Sequence, residues 1–541
     1  MNSRFLPCGV ALAALFTSSL GLAQQPRQIS EADVVAAAVL SNPTLHVALL
    51  RAQQSRFNLR AEQALYTPVF DANAGYTHSR TPTLFGPSAT RQLDANGNPV
   101  LDMAGNPVVT AVPAGTRISG SDVVDIGAGI TQPLAYGTLL SASLSGQRSS
   151  RASLEQQALL GASGPGYALV GRLSATQPLL RGAGTELGLA SLRQAKLNLS
   201  ANQLAAQAAA SQLLSQVVAA YWELWYSAEA VHINQASRDL ARVQQEQANQ
   251  QVQTGALAPA SALPYATQLA QLEETVLAAQ TDARQRELTL SQLLGQPAGV
   301  GENLSVTDGP EVPAADEPVE ASAVKEALEN SYARKQLQAQ LAIVKDQLRI
   351  AGDPLRPRLD LDAYVQAQGL GNRSVPPAFQ QFGQMDAVSA HVGLTFEMPL
   401  TDTRRSAQIQ AAELAAHVAE KQIEEDEISV RTSVASAIAQ RRAARQKLEL
   451  ATQTEKVAKA QAEAERARFL AGSSIAITVQ QAEDSYRQAQ LRVQRARVDL
   501  VLADVALTEL RGQLLTRYAD AVKHLPAEQR VTLTNGAAGN F

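Results

Sequence analysis

The sequence predicts an α+β membrane protein. Long antiparallel α-helical hairpins, an α-barrel, join a transmembrane β-barrel pooled from several chains, and the chain is internally duplicated. Three observations predict this. Two proline-free stretches of roughly 65–70 residues read as long helices, and the second carries apolar side chains at sevenfold spacing from Ile409 to Ala458. Several short segments alternate small apolar with polar residues at a period of two. The order of these segments occurs twice along the chain.

The chain has 541 residues, 45% hydrophobic and only 4% aromatic. That apolar fraction excludes a wholly disordered chain. Lys and Arg total 46 against 50 Asp and Glu, a net charge of −4, which argues against nucleic acid as a partner. Residues 1–23 read as a secretory signal peptide: Arg4, an apolar run from Phe5 to Leu22, then small residues before Gln24. The only cysteine, Cys8, precedes the apolar run and would leave with it. Stability must then come from packing and assembly, without disulfides. Beyond Gln24 no stretch approaches the ~18 consecutive apolar residues of a membrane-spanning helix, so any span is a barrel.

The first repeat covers 24–295. Ser30 can cap a helix ended by Pro68, with Glu31 and Asp33 in its first turn. Strands over about 69–180 follow. Phe70, Ala72, Ala74 and Tyr76 alternate with polar residues, as do Ile126, Ala128 and Ile130. Leu140, Ala142 and Leu144 do the same, then Tyr167, Leu169, Leu173 and Ala175. Residues 81–122 read as a long loop containing a small hairpin, because Gly97-Asn98-Pro99-Val100 recurs as Gly105-Asn106-Pro107-Val108. A helical hairpin over 185–294 turns at Gly255. A linker, 296–318, is rich in Gly, Pro and acid.

The second repeat, 319–520, has a helix, strands over about 359–400, and a hairpin over 404–518 turning at Gly472. The strands are carried by Leu359 to Ala367 and Val388 to Met398, with a Pro376-Pro377 loop between them. Residues 521–541 read as a polar, frayed tail. Ala195 and Ala412 each lie 60 residues before the glycine turns, so the halves are in register. In the last helix Ile475, Val479, Ala482, Tyr486, Ala489, Val493, Ala496 and Leu500 follow 4,3 spacing, a close-packed seam. The strands are too thin for a soluble sandwich, and four to six cannot close a barrel that needs ~8.

This pattern resembles the TolC-like outer-membrane efflux and secretion channel family. Gln177-Pro178-Leu179 and Met398-Pro399-Leu400 each lead into a long helix, and Val252-x-x-Gly255 is matched by Phe469-x-x-Gly472. The resemblance covers about residues 28–518. It implies a homotrimer in the outer membrane, extending into the periplasm and contacting outer-membrane lipid. It implies a periplasmic adaptor (membrane fusion) protein and an inner-membrane pump as partners, the channel being the exit duct of a tripartite efflux pump or type I secretion system. Adaptor docking would fall on the tips, Gly255, Gly472 and Ser473. Well-known members carry aspartates six and nine residues after the second tip glycine. Here Thr478 and Gln481 stand there, as the expected constriction, flanked by Glu483 and Asp484. The family usually has two strands per half. The first half offers four candidates, so either the barrel is larger or the hairpin at 126–145 lies outside it.

The alternative of another class is a periplasmic or surface coiled-coil structural or adhesive protein without a pore. Gly182-Ala183-Gly184-x-x-x-Gly188 misses a dinucleotide fingerprint by one residue and reads as a strand-to-helix joint. Asp94-x-Asn96-x-Asn98 lacks the rest of a calcium loop and reads as a turn. Trp222 and Trp225 read as helix packing. No catalytic constellation, cofactor site or metal site is expected, and the chain is not expected to be an enzyme.

Overall fold

The computed structural model describes residues 27–151, 166–296, 304–306, 309–313, 319–398, 400, 403–471, 473–523 and 525–534. The expected signal peptide, most of the linker, Pro399 and Gly472 lie outside these. The chain divides into two compact units, each built from both repeats. One comprises 1–55, 198–341 and 418–541; the other comprises 56–197 and 342–417.

The first unit is helical. β1 (Arg27–Ile29) pairs in parallel with β8 (Leu304–Val306). α1 (Glu31–Ser41) starts with a capping box: Asp33 N donates to Ser30 Oγ at 3.2 Å, and Ser30 N to Asp33 Oδ2 at 3.3 Å. Pro43 then begins α2 (Pro43–Ala64), bent 49° from α1. Asn42 serves two helix ends at the bend. Its Oδ1 accepts from Leu45 N at 3.0 Å, and its Nδ2 donates to Leu293 O at 2.8 Å. Among the described residues no single helix is long and apolar enough to cross a membrane. The apolar face of α1 and α2, with Val34, Val39, Leu45 and Leu49, is buried in the unit's core.

Two long helices, α4 (Ala190–Gln253) and α10 (Ala476–Leu510), supply much of the rest of that core, and a third, α9 (Thr403–Leu470), packs in a separate cluster. At 68 residues α9 rises on the order of 100 Å. The heptad seam of α10 is buried at Val479, Ala482, Ala489, Val493, Ala496 and Leu500. The buried face is wider than that seam, taking in Val498, Val501 and Val505, which pack with Leu214, Val217 and Tyr221 of α4. Trp222 is buried edge-on to Tyr221, with ring centroids 4.9 Å apart, as a packing residue. Each large buried side chain contributes roughly 1.5–3 kcal/mol. A second cluster joins Ala323 and Ala327 of α6 (Glu320–Asn330) to Val434 and Ile438 of α9 and Leu507 of α10.

The returning arm of the hairpin expected over 185–294 is α5 (Pro259–Leu293), with proline at its first position, where no N–H partner is missed. The tail is not frayed where described. Beyond α11 (Leu514–Arg517) and α12 (Ala519–Lys523), α13 (Ala527–Thr534) buries Leu533, and the buried Gln207 donates to the Thr532 and Leu533 carbonyls at 3.3 and 3.1 Å.

The second unit holds a six-stranded antiparallel sheet. Its strands are β2 (Val69–Phe85), β5 (Gly115–Pro133), β6 (Leu139–Arg151), β7 (Gly166–Pro178), β9 (Arg358–Asn372) and β10 (Val388–Glu397). Their order is β10-β9-β7-β6-β5-β2. The hairpin at 126–145 therefore lies inside the sheet. The expected loop at 81–122 is largely ordered as strand: β2 and β5 pair out to Phe85 and Gly115. Beyond them β3 (Ser88–Arg91) pairs with β4 (Val109–Val112). Within this arm Asp94 Oδ1 accepts from the backbones of Asn96 and Asn98, and Asp102 repeats the turn with Ala104 and Asn106, all at 2.9 Å. The Pro376-Pro377 loop contains a helix, α8 (Pro376–Gln384), again with proline at its start.

The glycine joint before α4 is locked in place. Gly182 and Gly184 have φ of +80° and +92°. Gly182 N donates to Asp353 Oδ2 at 2.9 Å, and the Tyr66 hydroxyl donates to Gly188 O. Helix α3 (Thr185–Gly188) completes the joint. A Cβ at Gly188 would lie 2.1 Å from Ala135 O, so only glycine fits there.

Two predictions follow from the helical unit. Gly512, at φ +68°, ends α10, and a Cβ there would meet Asn330 O at 2.6 Å. Gly512→Ala should cost at least ~1–2 kcal/mol from the left-handed backbone alone. Gly86→Ala, at an open position with ordinary φ, should leave denaturant unfolding unchanged. Glu509 on α10 is largely buried, and burial pushes its carboxyl above the usual range against a hydrogen bond from Ser215. A raised native value makes stability fall as pH rises from the ordinary carboxylate value through the raised one. Glu509→Gln should therefore melt higher than wild type at about pH 7 and equal to it at about pH 3, where both forms are neutral.

Candidate functional site

The strand alternation becomes a surface through register. Cross-strand partners run Phe70–Ile130–Ala142–Leu173–Val365–Ala390 across all six strands. The next line on that face is Ala72–Ala128–Leu144–Gly171–Ala367–Val388. One face of the sheet is thus continuously apolar, yet Leu173 and Val392 are 64% and 74% exposed. From Val388 to Phe396 this band runs ~27 Å along β10, and ~20 Å upright at a barrel's tilt, near the ~25 Å apolar band of outer-membrane barrels.

The opposite face is polar. Its central line is Asp71–Gly129–Ser143–Arg172–Gln366–Ser389. Polar side chains here lie flat over facing glycines. A Cβ on Gly129 would meet Asp71 Oδ1 at 2.9 Å, on Gly127 Asn73 Oδ1 at 2.4 Å, and on Gly75 Asp125 Oδ1 at 2.7 Å. Elsewhere the Arg172 guanidinium lies 3.8 Å over the Tyr364 ring, which stacks on His391 with centroids 5.1 Å apart. α8 covers one end of the apolar face. It rests on Gly369 and Gly171, where a Cβ would meet Ala378 O at 1.9 Å and Phe382 at 2.8 Å.

The tip residues lie in the helical unit. α4 ends in a Schellman turn: Gly255 N donates to Val252 O at 3.1 Å and Ala256 N to Gln251 O at 2.8 Å, with Gly255 at φ +76°. Ser473 N donates to Arg468 O at 2.9 Å, the equivalent of the Ala256 bond after the second long helix. Gly255 and Ser473 are exposed.

Just beyond, Gln481 is exposed and Thr478 half-buried. Glu483 and Asp484 are held within the chain. Glu483 accepts from Gln244 Nε2 at 3.0 Å and Arg466 at 2.7 Å; Asp484 accepts from Arg487 at 2.5 Å and Gln488 at 2.6 Å. Arg487 also donates to the buried Asn234 at 2.8 Å. Glu483, Asp484, Gln244, Arg466 and Arg487 line a cavity of about 390 Å³ together with His232, Gln268 and Lys459. Sequence reasoning missed this network because Gln244 lies 239 residues from Glu483. The structure brings Glu483 and Asp484 to one cavity and leaves Gln481 out of its lining.

Residues 323–513 match the outer membrane efflux protein family. That match covers most of the second repeat. The likeness to TolC-like channels holds for the fold of the whole chain as well. The Campylobacter jejuni CmeC outer membrane channel superposes with a TM-score of 0.64 at 13% identity, over 92% of this chain and 90% of that one. The outer-membrane channel OprN gives 0.62 at 17% identity, over 89% of each chain. The open state of the Neisseria gonorrhoeae MtrE channel gives 0.59 at 15% identity, over 89% and 88%. No curated protein matches in sequence. The proteins whose fold it shares are named as outer-membrane channels.

The two faces of the sheet make opposite predictions. Val365→Arg puts a charge on the apolar face and should cost ~2–4 kcal/mol per copy in lipid, emptying the heat-modifiable outer-membrane fraction. Gln366→Arg, one residue on, faces the polar side beside the native Arg172 and should assemble normally.

Proposed function

We propose that three copies of this chain form the exit duct of a tripartite efflux pump or type I secretion system. The carrying observation is the exposed apolar face of the sheet. Six strands cannot close on themselves, since ~8 is the practical minimum, and the two edge strands would leave unpaired backbone groups in lipid. The helices support the same reading: Ile428, Leu450 and Val457 of α9 are exposed apolar side chains in a single copy, suited to neighbouring copies. Transport energy would come from an inner-membrane pump, reached through a periplasmic adaptor.

In this reading the turns at Gly255, Gly472 and Ser473 dock the adaptor. Thr478 and Gln481 form rings at a resting constriction. Glu483 and Asp484 are already neutralised by Arg466 and Arg487 and so contribute little charge to the pore. A neutral ring focuses counter-ions weakly. Thr478→Asp should raise cation selectivity in planar bilayers, while Glu483→Gln should leave it unchanged. The reverse result would move the constriction to Glu483. A purified protein with no conductance, and no crosslink from Ser473→Cys to an adaptor in cells, would favour a structural coiled coil instead.

A further inference from the structure

We infer that all six strands of each copy enter the barrel wall, so that the trimeric duct is an eighteen-stranded pore. This rests on the trimeric reading above and adds the strand count and the bore. Three features of the sheet carry it.

First, β5 and β6 are interior strands. β5 pairs with β2 through seventeen residue pairs and with β6 through thirteen, and β6 pairs with β7 through eleven. Removing this hairpin from the wall would break two of those ladders and expose the edges of β2 and β7. Unpaired backbone groups in hydrocarbon cost several kcal/mol each.

Second, the hairpin is patterned like the rest of the wall. Ile126, Ala128, Ile130, Leu140, Ala142 and Leu144 fall on the apolar face, in register with Phe70 and Val365. Gly127, Gly129, Ser141, Ser143 and Ser145 fall on the polar face. A hairpin lying in water would have no reason to present Ile126 at 61% and Leu144 at 46% exposure on one side.

Third, the count closes. Every ladder is antiparallel and the number of strands is even. The two edges, β2 and β10, therefore run in opposite directions, and β10 of one copy continues the alternation against β2 of the next. At ~4.8 Å between strands and a tilt of ~40°, eighteen strands give a backbone diameter of about 36 Å, against about 24 Å for twelve. Serines and glycines on the polar face of β5 and β6 keep side chains short where the hairpin widens the bore. The duct is thereby suited to bulkier cargo than a twelve-stranded wall would pass.

The test places single cysteines at Ile126, Leu144, Ser143 and Val365 and labels each trimer with an environment-sensitive fluorophore. The only native cysteine, Cys8, lies in the expected signal peptide. The labelled trimers are reconstituted in vesicles containing doxyl-labelled phosphatidylcholine. Ile126→Cys, Leu144→Cys and Val365→Cys should lose at least half their emission, while Ser143→Cys should stay unquenched and react with a water-soluble thiol reagent. Quenching at Val365 with none at Ile126 and Leu144 would overturn the eighteen-stranded wall and leave the exit-duct reading intact. No quenching at any of the four would overturn the membrane barrel, and both proposals with it.

Discussion

Register across five antiparallel ladders is the constraint on which the rest depends. Side chains alternate with a period of two, so a slip of one residue in any ladder would invert every strand beyond it. A slip between β6 and β7 would set Leu173, Val365 and Val392 facing the same way as Ser143 and Asp71. The sheet would then have no apolar face for lipid and no polar face for a lumen. Short connections fix that register on the helix-proximal side. Ala135-Tyr136-Gly137 joins β5 to β6 with Gly137 at φ +85°, and its backbone meets Gly188 so closely that no Cβ fits. The Gln132 side chain donates to Tyr66 O at 2.6 Å, and Thr138 bonds Gln177. The strand ends are thus pinned where the chain leaves for the helices, and the distant ends are free to extend.

That freedom explains what the sequence hid. Inside the apolar band, alternation is obligatory, and the lower parts of β2, β5, β6, β7, β9 and β10 were all legible from it. Beyond the band, neither face of the β2–β5 arm must be apolar. Pro82, Gly115 and Gly120 occur there, and the segment looked like a loop although its backbone is paired out to Phe85 and Gly115. α8 was hidden differently: Pro376-Pro377 suggested a loop, but proline is tolerated in the first turn of a helix, where its missing N–H has no partner to lose. α13 is short and polar, and what holds it, Gln207 and the core that buries Leu533, is remote in sequence.

At the tips the legible part was again the part fixed locally. A glycine in the left-handed region after a long helix can be read from one stretch of chain, as at Gly255. Seam positions Val479 and Ala482 follow from spacing alone, and both are buried. Asp484 takes Arg487 and Gln488 from its own helix at i+3 and i+4, but the partners of Glu483 could not be read that way. Glu483 takes Arg466 from across the turn and Gln244 from the other repeat, and such pairings depend on which hairpins pack together. Two acidic residues that look like pore charges in the sequence are consequently tied up in the packing between helices.

The repeats themselves show where this chain has grown. Pro68 and Pro357, each ahead of its strands, are 289 residues apart, whereas Gly255 and Gly472 are 217 apart. Gly295 and Gly512, which close the two hairpins, are also 217 apart and make the same close backbone approach, to Ser41 O and Asn330 O. The returning arms of the two hairpins have therefore kept their length to the residue, at 35 residues each, and the 72 additional residues of the first half all fall between Pro68 and Gly255, the interval that holds β5 and β6. The difference has a physical origin. A helix seam repeats every seven residues and packs against partners along its whole length, so an insertion there would shift every contact beyond it. A sheet can accept a hairpin between two strands by exchanging one ladder for three, provided that the strands come in a pair, because an odd number would reverse the edge strand. Growth by two strands is the smallest change that widens the sheet while leaving both of its edges, and everything below the strand ends, as they were.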